Sequence, residues 1–181
     1  MKGVVFTEFM EMVEDHFSLR MVDEIIEDAA VPSGGAYTAV GTYPHEEMVA
    51  LVTALSRRSG MPLPDLLHAF GRHLFGRFAR LYPRFVEGQT DTLRFLAGIE
   101  DIIHTEVLKL YPDAQLPRFA VEHQDEHRLV LVYRSPRHMP ELALGLIEGC
   151  IDHFGQSVTV RSNPVDDGDQ RSVRFELLRH A

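Results

Sequence analysis

The sequence predicts an α+β fold, a helical N-terminal part packed on a part that combines a long helix with a four-stranded antiparallel sheet. Three observations carry this. Apolar residues recur at three-to-four spacing through most of the first 111 positions. From Arg118 the pattern changes to short strand-like runs around polar turns. The remaining order, strand pair, helix, strand pair, favours helices segregated from an antiparallel sheet.

Phe6, Phe9, Met10, Val13 and Phe17 give an opening amphipathic helix, and Leu19 to Ala29 a short second one, stopped by Val31-Pro32-Ser33-Gly34-Gly35. Pro44 suits a first helical turn, with Glu46 and Glu47 complementing the helix dipole and Ser59-Gly60 ending the helix. Pro62 and Pro64 mark the next start, Leu66, Leu67, Phe70, Leu74 and Phe78 form its stripe, and Tyr82-Pro83 ends it. Thr92 to Tyr111 reads as one long helix closed by Pro112. Arg118 to His123 and Arg128 to Tyr133 read as a strand pair around Gln124-Asp125-Glu126. Pro140 to Phe154 returns to helical spacing. Ser157 to Ser162 and Arg171 to Leu177 form a second strand pair around Asn163-Pro164 to Asp169.

At 181 residues the chain suits one domain that buries about 70% of its unfolded surface, enough for a core and an internal cofactor pocket. Lys and Arg total 18 against 27 Asp and Glu, a net charge of -9. A phosphate-tracking nucleic-acid binder would carry a basic stripe, so no nucleic-acid partner is expected. The opening stretch is interrupted by Glu8 and does not read as a signal peptide. No apolar run approaches the ~20 residues of a membrane span, so no membrane insertion is expected. A single cysteine excludes an internal disulfide and any multi-cysteine zinc or iron–sulfur site, and fits a reducing cytoplasm.

His104 stands apart among ten histidines. It falls mid-helix on a stripe with Leu93, Ala97, Leu108 and Tyr111, where an imidazole is either a packed core residue or a metal ligand. One histidine cannot assemble a structural zinc site, which needs four ligands. It can hold haem, whose porphyrin supplies four nitrogens and needs only an axial partner. The second feature is Tyr133-Arg134-Ser135-Pro136-Arg137. Alternate positions at a strand end point the same way, so Tyr133, Ser135 and Arg137 present a phenol, a hydroxyl and a guanidinium together. They form either a clamp for carboxylates or a solvated strand edge.

On these residues the chain resembles the haem-nitric oxide/oxygen-binding (H-NOX) domains, in their stand-alone bacterial form. The resemblance covers essentially the whole chain. It includes Met1-Lys2-Gly3, Phe70-Gly71 with Leu74-Phe75, Ile103-His104 through Glu106, Val107, Lys109, Leu110 and Tyr111, then Pro117 and the Tyr133/Ser135/Arg137 triplet. It implies a distal helical part over about residues 1–62 and a proximal part over about 63–181, with haem b (iron protoporphyrin IX) buried between. By similarity, His104 is the proximal iron ligand and Tyr133, Ser135 and Arg137 hold the propionates. Pro117 presses on the macrocycle and keeps it non-planar. Val5, Phe9, Phe78 and Leu146 line the pocket, chiefly on its distal side.

The resemblance also implies a ligand. Oxygen-binding members place a distal tyrosine where this chain has Leu142, and a tryptophan where it has Phe9. Neither residue here carries a donor. The expected ligand is therefore nitric oxide, with carbon monoxide as a second gas and dioxygen excluded; an inward-folded donor such as His16 or Tyr37 would reverse this. Nitric oxide weakens the bond trans to it, so signalling would proceed by release of His104 to a separate partner, a sensor histidine kinase or a cyclic-di-GMP enzyme. The chain is then a sensor and not an enzyme. Two other readings stand beside it, an oxygen-binding sensor of the same family and a cofactor-free interaction domain.

Other candidates have simpler readings. Cys150 sits with Leu146, Ile147 and Phe154 in a helix, where a buried thiol is the ordinary outcome. His123 and His127 have metal-like spacing but flank a polar turn. Asp166, Asp167 and Asp169 lack the rest of a calcium loop. Gly34-Gly35 is too short for a phosphate loop.

Overall fold

The computed structural model describes residues 1–165, 168 and 172–180. Asp166, Asp167, Asp169 and the expected strand start at Arg171 lie outside the described residues. The first four helices are α1 (Gly3–His16), α2 (Leu19–Ala29), α3 (His45–Ser59) and α4 (Leu63–Leu81). Their ends reflect local chemistry. Ser18 caps α2 by accepting from the Met21 amide, and Gly60 ends α3 in the left-handed conformation at φ 74°. Glu46 and Glu47 occupy the first turn of α3 and Arg57 and Arg58 its last, each opposing the nearer helix-dipole charge. The apolar faces of α1 to α4 meet in a first core that includes Phe6, Phe9, Ile25, Met48, Leu51 and Phe70. Arg77 of α4 pairs with Glu8 and Glu11 of α1, which ties the two helices at their polar edge.

The long helix expected over Thr92 to Tyr111 is broken. It runs as α5 (Thr92–Ala97), a π-helical turn (Ile99–His104) and α6 (Thr105–Leu110). Gly98 stands at the break, where glycine is a poor helix former, and its amide is shared between the Arg94 and Phe95 carbonyls at 3.2 and 3.1 Å. A π turn inserts a residue and rotates the helix beyond it. The stripe drawn from Leu93 to Leu108 therefore does not hold as one face. Leu93 is buried at 2% exposure, whereas Leu108 is 42% exposed.

The sheet comprises β1 (Arg118–Gln124), β2 (Arg128–Arg134), β3 (Val158–Pro164) and β4 (Ser172–Arg179), in the order β1-β2-β4-β3 with every pair antiparallel. α7 (Pro140–Phe154) lies between the two strand pairs in sequence. Leu129, Leu131 and Tyr133 of β2 join Phe175 and Leu177 of β4 and Ala143, Ile147 and Cys150 of α7 in a second core. At the β1–β2 turn, Asp125 accepts from the amides of His127 and Arg128, both at 2.8 Å, and pairs with His123 at 2.7 Å. These partners hold the Asp125 carboxyl at about 2.

The two cores are joined by α4 and α7. Leu142 and Leu146 of α7 pack against the first core while Ala143, Ile147 and Cys150 enter the second. The helices cross through glycines. A Cβ on Gly145 would sit 2.1 Å from the His68 carbonyl oxygen and 2.9 Å from the Gly71 Cα, and one on Gly71 would sit 2.3 Å from the Leu142 oxygen. Both obstacles are backbone, so neither can rotate away.

Both features bear on stability. Gly145→Ala should cost about 1–3 kcal/mol by overpacking, despite a gain of up to about 1 kcal/mol in helix propensity. Urea denaturation would show this as a lowered midpoint, and a midpoint at or above wild type would contradict the backbone contact. The Asp125 carboxyl is depressed below its unfolded value, so its contribution is present above the ordinary carboxylate range and is lost as pH falls towards about 2. Asp125→Asn should flatten that part of the acid limb of stability against pH.

Candidate functional site

Between the two cores lies an apolar cavity of about 300 Å³. The start of α1, one stripe of α4, the π turn with α6, the β1 and β2 strands and α7 all contribute to its wall. Val5, Leu74, Phe78, Leu142 and Leu146 supply aliphatic and aromatic surface, and Pro117 closes the wall just before β1. Its polar groups fall into three sets.

The first is His104, at the end of the π turn. Its side chain is 14% exposed, and Nδ1 lies 3.1 Å from Glu100 Oε1. The same carboxylate oxygen accepts the backbone N–H of Phe119 at 2.7 Å. Burial lowers the His104 pKa, against the opposing pull of Glu100. The ring is thus held neutral. An Nδ1–H donated to the carboxylate leaves Nε2 with its lone pair. No protein group hydrogen-bonds Nε2 among the described residues. The Phe119 ring lies 6.1 Å from the His104 ring and 5.4 Å from that of Tyr133, which links the first set to the second.

The second set closes one end of the cavity. Tyr133 Oη accepts from the Met139 amide at 3.3 Å, and Ser135 Oγ accepts from the Arg137 amide at 3.2 Å. Arg137 Nη1 donates to the Gln115 carbonyl at 2.6 Å. Burial raises the Tyr133 pKa, so the phenol stays protonated. Burial also pulls the Arg137 pKa down, yet no carboxylate stands within ion-pair distance of it among the described residues. The β2 strand and the turn after it thus bring two hydroxyls and a guanidinium to one place, with a positive charge that no carboxylate among the described residues pairs.

The third set joins distant segments. Tyr82, just after α4, and Tyr111, just after α6, face each other with their hydroxyl oxygens 3.1 Å apart. Burial and this contact push Tyr82 up to about 12. Lys2 places its ammonium 5.1 Å from the centre of the Tyr111 ring and pairs with Asp113 at 3.2 Å, while Thr42 donates to Asp113 at 2.7 Å. The sequence marked Tyr82 only as a helix terminator and passed over Glu100, whose one visible signal was the i, i+4 spacing to His104.

Of the residues singled out from sequence, His104, Tyr133, Ser135, Arg137, Pro117, Val5, Phe78, Leu142 and Leu146 share this one cavity. Phe9 does not line it. Phe9 is fully buried in the first core, edge-on to Phe70 at 5.2 Å, because its helix face turns towards α4 rather than the cavity. Tyr37 stacks on Phe6 at 4.4 Å and donates to Glu47, and His16 faces His73. Neither lines the cavity. Among the described residues, no group of three or more His, Cys, Asp or Glu side chains is placed to hold a metal ion, so His123 and His127 form no such site. One neutral imidazole, an apolar wall and a cationic, hydroxyl-bearing end suit a flat apolar group that carries a metal at its centre and carboxylates at one edge. A porphyrin meets each requirement, since it needs only one protein ligand and brings its own four nitrogens.

Comparison with known proteins agrees with this chemistry. The family described as haem-NO-binding matches residues 2–162. The chain is similar to the Fe(II) unliganded H-NOX protein from K. algicida, with 38% identity and a TM-score of 0.92 over 100% of this chain and 97% of that one. It is also similar to the H-NOX protein from S. oneidensis in the Fe(II)NO state, with 27% identity and a TM-score of 0.91 over 100% of both chains. The H-NOX from Shewanella woodyi in the Fe(II)CO state shares 35% identity, with a TM-score of 0.85 over 99% of this chain and 95% of that one. A search of curated proteins finds no match.

Cys150 is buried beside the cavity wall, and burial pushes its thiol well above the usual range. A thiol reagent should therefore leave Cys150 unmodified in the native protein and label it on unfolding in denaturant. Rapid labelling of the native state would contradict this burial.

Proposed function

The chain belongs to the haem-NO-binding family, and from that premise we propose that it is a ferrous-haem sensor of nitric oxide that leaves dioxygen unbound and signals by releasing His104. The domain is a haem-binding gas sensor of the H-NOX type. The observation that carries the finer reading is the neutral, largely enclosed His104, whose Nε2 has no partner among the described residues, in the wall of the same cavity as Arg137, which no described carboxylate pairs.

In this reading His104 would hold the iron of haem b through Nε2. Tyr133, Ser135 and Arg137 take the propionates, replacing their present backbone partners in part with charge-assisted bonds. Pro117, Val5, Phe78, Leu142 and Leu146 enclose the macrocycle. Bound there, haem would supply an iron able to bind a gas, and nitric oxide would weaken the hold of His104 on it. Release of His104 would free α6, which begins at the next residue, to move. Moving a two-state protein from 1:99 to 99:1 takes about 5.5 kcal/mol of differential binding, a scale that one axial bond can supply.

Selectivity rests on missing donors. Dioxygen on ferrous haem gains from a buried hydrogen-bond donor, whereas nitric oxide binds without one. Val5, Leu74, Phe78, Leu142 and Leu146 have none, and the Tyr82 and Tyr111 hydroxyls are turned to each other. Carbon monoxide is a second ligand, in keeping with the Fe(II)CO state of the S. woodyi relative. The receiver is a separate signalling protein, a sensor histidine kinase or a cyclic-di-GMP enzyme, in the cytoplasm. The chain itself performs no reaction. No helix among the described residues is long and apolar enough to cross a membrane.

An anaerobic absorption spectrum of the reduced, haem-loaded protein tests the reading, repeated with nitric oxide and with air. A haem Soret band that moves to the five-coordinate nitric oxide form, with no stable dioxygen complex, is expected. Failure to take up haem would overturn the sensor, and a stable dioxygen complex would overturn the selectivity. Arg137→Ala should weaken haem binding about 10- to 100-fold, the loss of one bond worth about 1.5–3 kcal/mol to a charged group. His104→Gly supplied with imidazole should bind haem but no longer couple gas binding to its partner.

A further inference from the structure

Resting on the haem reading above, one carboxylate takes a role of its own. Glu100 is the acidic group bound to the cavity imidazole, and a single oxygen makes the bond. Oε1 lies 3.1 Å from His104 Nδ1 and 2.7 Å from the Phe119 backbone N. An exposed i, i+4 pair on a helix surface is worth only about 0.2–0.5 kcal/mol and fixes no geometry. This pair differs in two ways. The imidazole is largely enclosed, at 14% side-chain exposure, so the bond is made away from bulk water. The accepting oxygen is also pinned by a donor from another element, the amide of the second residue of β1. Glu100 can therefore neither rotate freely nor follow the ring without breaking its tie to the sheet.

We propose that Glu100 is a positioning residue for the axial bond. It holds His104 in the tautomer that leaves Nε2 as the ligand atom. Its negative charge, accepting Nδ1–H, makes the imidazole a stronger donor to iron. A stronger donor stabilises ferric over ferrous iron, lowers the reduction potential and slows release of the histidine. Phe119 extends the linkage, since the residue whose amide pins Glu100 also sets its ring beside both His104 and Tyr133. The axial ligand and the carboxylate clamp are thus held by one residue of β1.

The charge is separable from the hydrogen bonds. Glu100→Gln keeps a carbonyl oxygen able to accept from both donors and removes only the charge. Glu100→Ala removes both. The experiment compares haem-loaded wild type, E100Q and E100A by spectroelectrochemical titration and by the rate at which nitric oxide drives the six- to five-coordinate conversion. In E100Q the ferric-to-ferrous ratio at a fixed applied potential should fall about tenfold, an upward shift of about 59 mV for one electron, and conversion should be several-fold faster. E100A should move the same way and also lose about tenfold or more in haem affinity. A potential and a conversion rate within twofold of wild type in E100Q would overturn the proposal. So would a loss of haem affinity in both variants with the potential unchanged, because Glu100 would then be a structural prop only. If the wild type takes up no haem, the sensor reading itself fails and this inference falls with it, before any variant is compared.

Discussion

A largely enclosed imidazole, with one nitrogen bonded to a carboxylate and the other without a partner among the described residues, is the constraint around which the site is arranged. Glu100 accepts from Nδ1, so Nε2 is the ring nitrogen that keeps its lone pair. Burial keeps the ring neutral, and neutrality preserves the lone pair. Elsewhere in the same cavity wall the logic runs with opposite sign. Arg137 stays positive and half-buried with only a carbonyl for a partner. A bare lone pair and an unpaired cation in one apolar cavity are complementary to a ligand that brings a metal and carboxylates, and to few other groups.

That cavity lies beside the packing of α4 on α7, which joins the two cores. Gly71 and Gly145 let α4 and α7 approach backbone to backbone, and each helix then contributes one face to the first core and another to the second. Space remains beside the contact, lined by Leu74 and Phe78 from α4 and by Leu142 and Leu146 from α7. Away from the glycines the two parts are fastened by polar links. Lys2 and Thr42 from the N-terminal helical part meet Asp113 just beyond α6, and Tyr82 meets Tyr111. Each of these joins the segment beyond His104 to something outside it. A displacement of α6 is therefore felt at the start of α1 and the end of α4.

Much of this was legible from the residues alone. Prolines and glycines marked the ends of α3, α4 and α7, and apolar runs around polar turns marked the strands, because those signals are local. The break within Thr92 to Tyr111 was not legible. A π turn keeps apolar residues at nearly helical spacing, and only Gly98 hinted at it. The gathering of Tyr133, Ser135 and Arg137 in one cavity wall was readable because a strand end puts alternate residues on one side. His104 was readable because it interrupts an apolar stripe, although Leu108 on the supposed stripe is exposed. Phe9 was misplaced because spacing identifies a buried face without saying what lies against it. Glu100 and Tyr82 went unnoticed for a related reason. Their partners, the Phe119 amide and the Tyr111 hydroxyl, lie 19 and 29 positions away, and no local pattern encodes contacts made only when the elements pack.

The central claim is that one bond, from His104 Nε2 to iron, holds the sensor in its unliganded state. Resonance Raman spectroscopy of the reduced, haem-loaded protein measures that bond directly through its iron–histidine stretching band. The account predicts a single such band that disappears when nitric oxide binds. A band that persists with nitric oxide bound, or one that survives in His104→Gly without added imidazole, would contradict it.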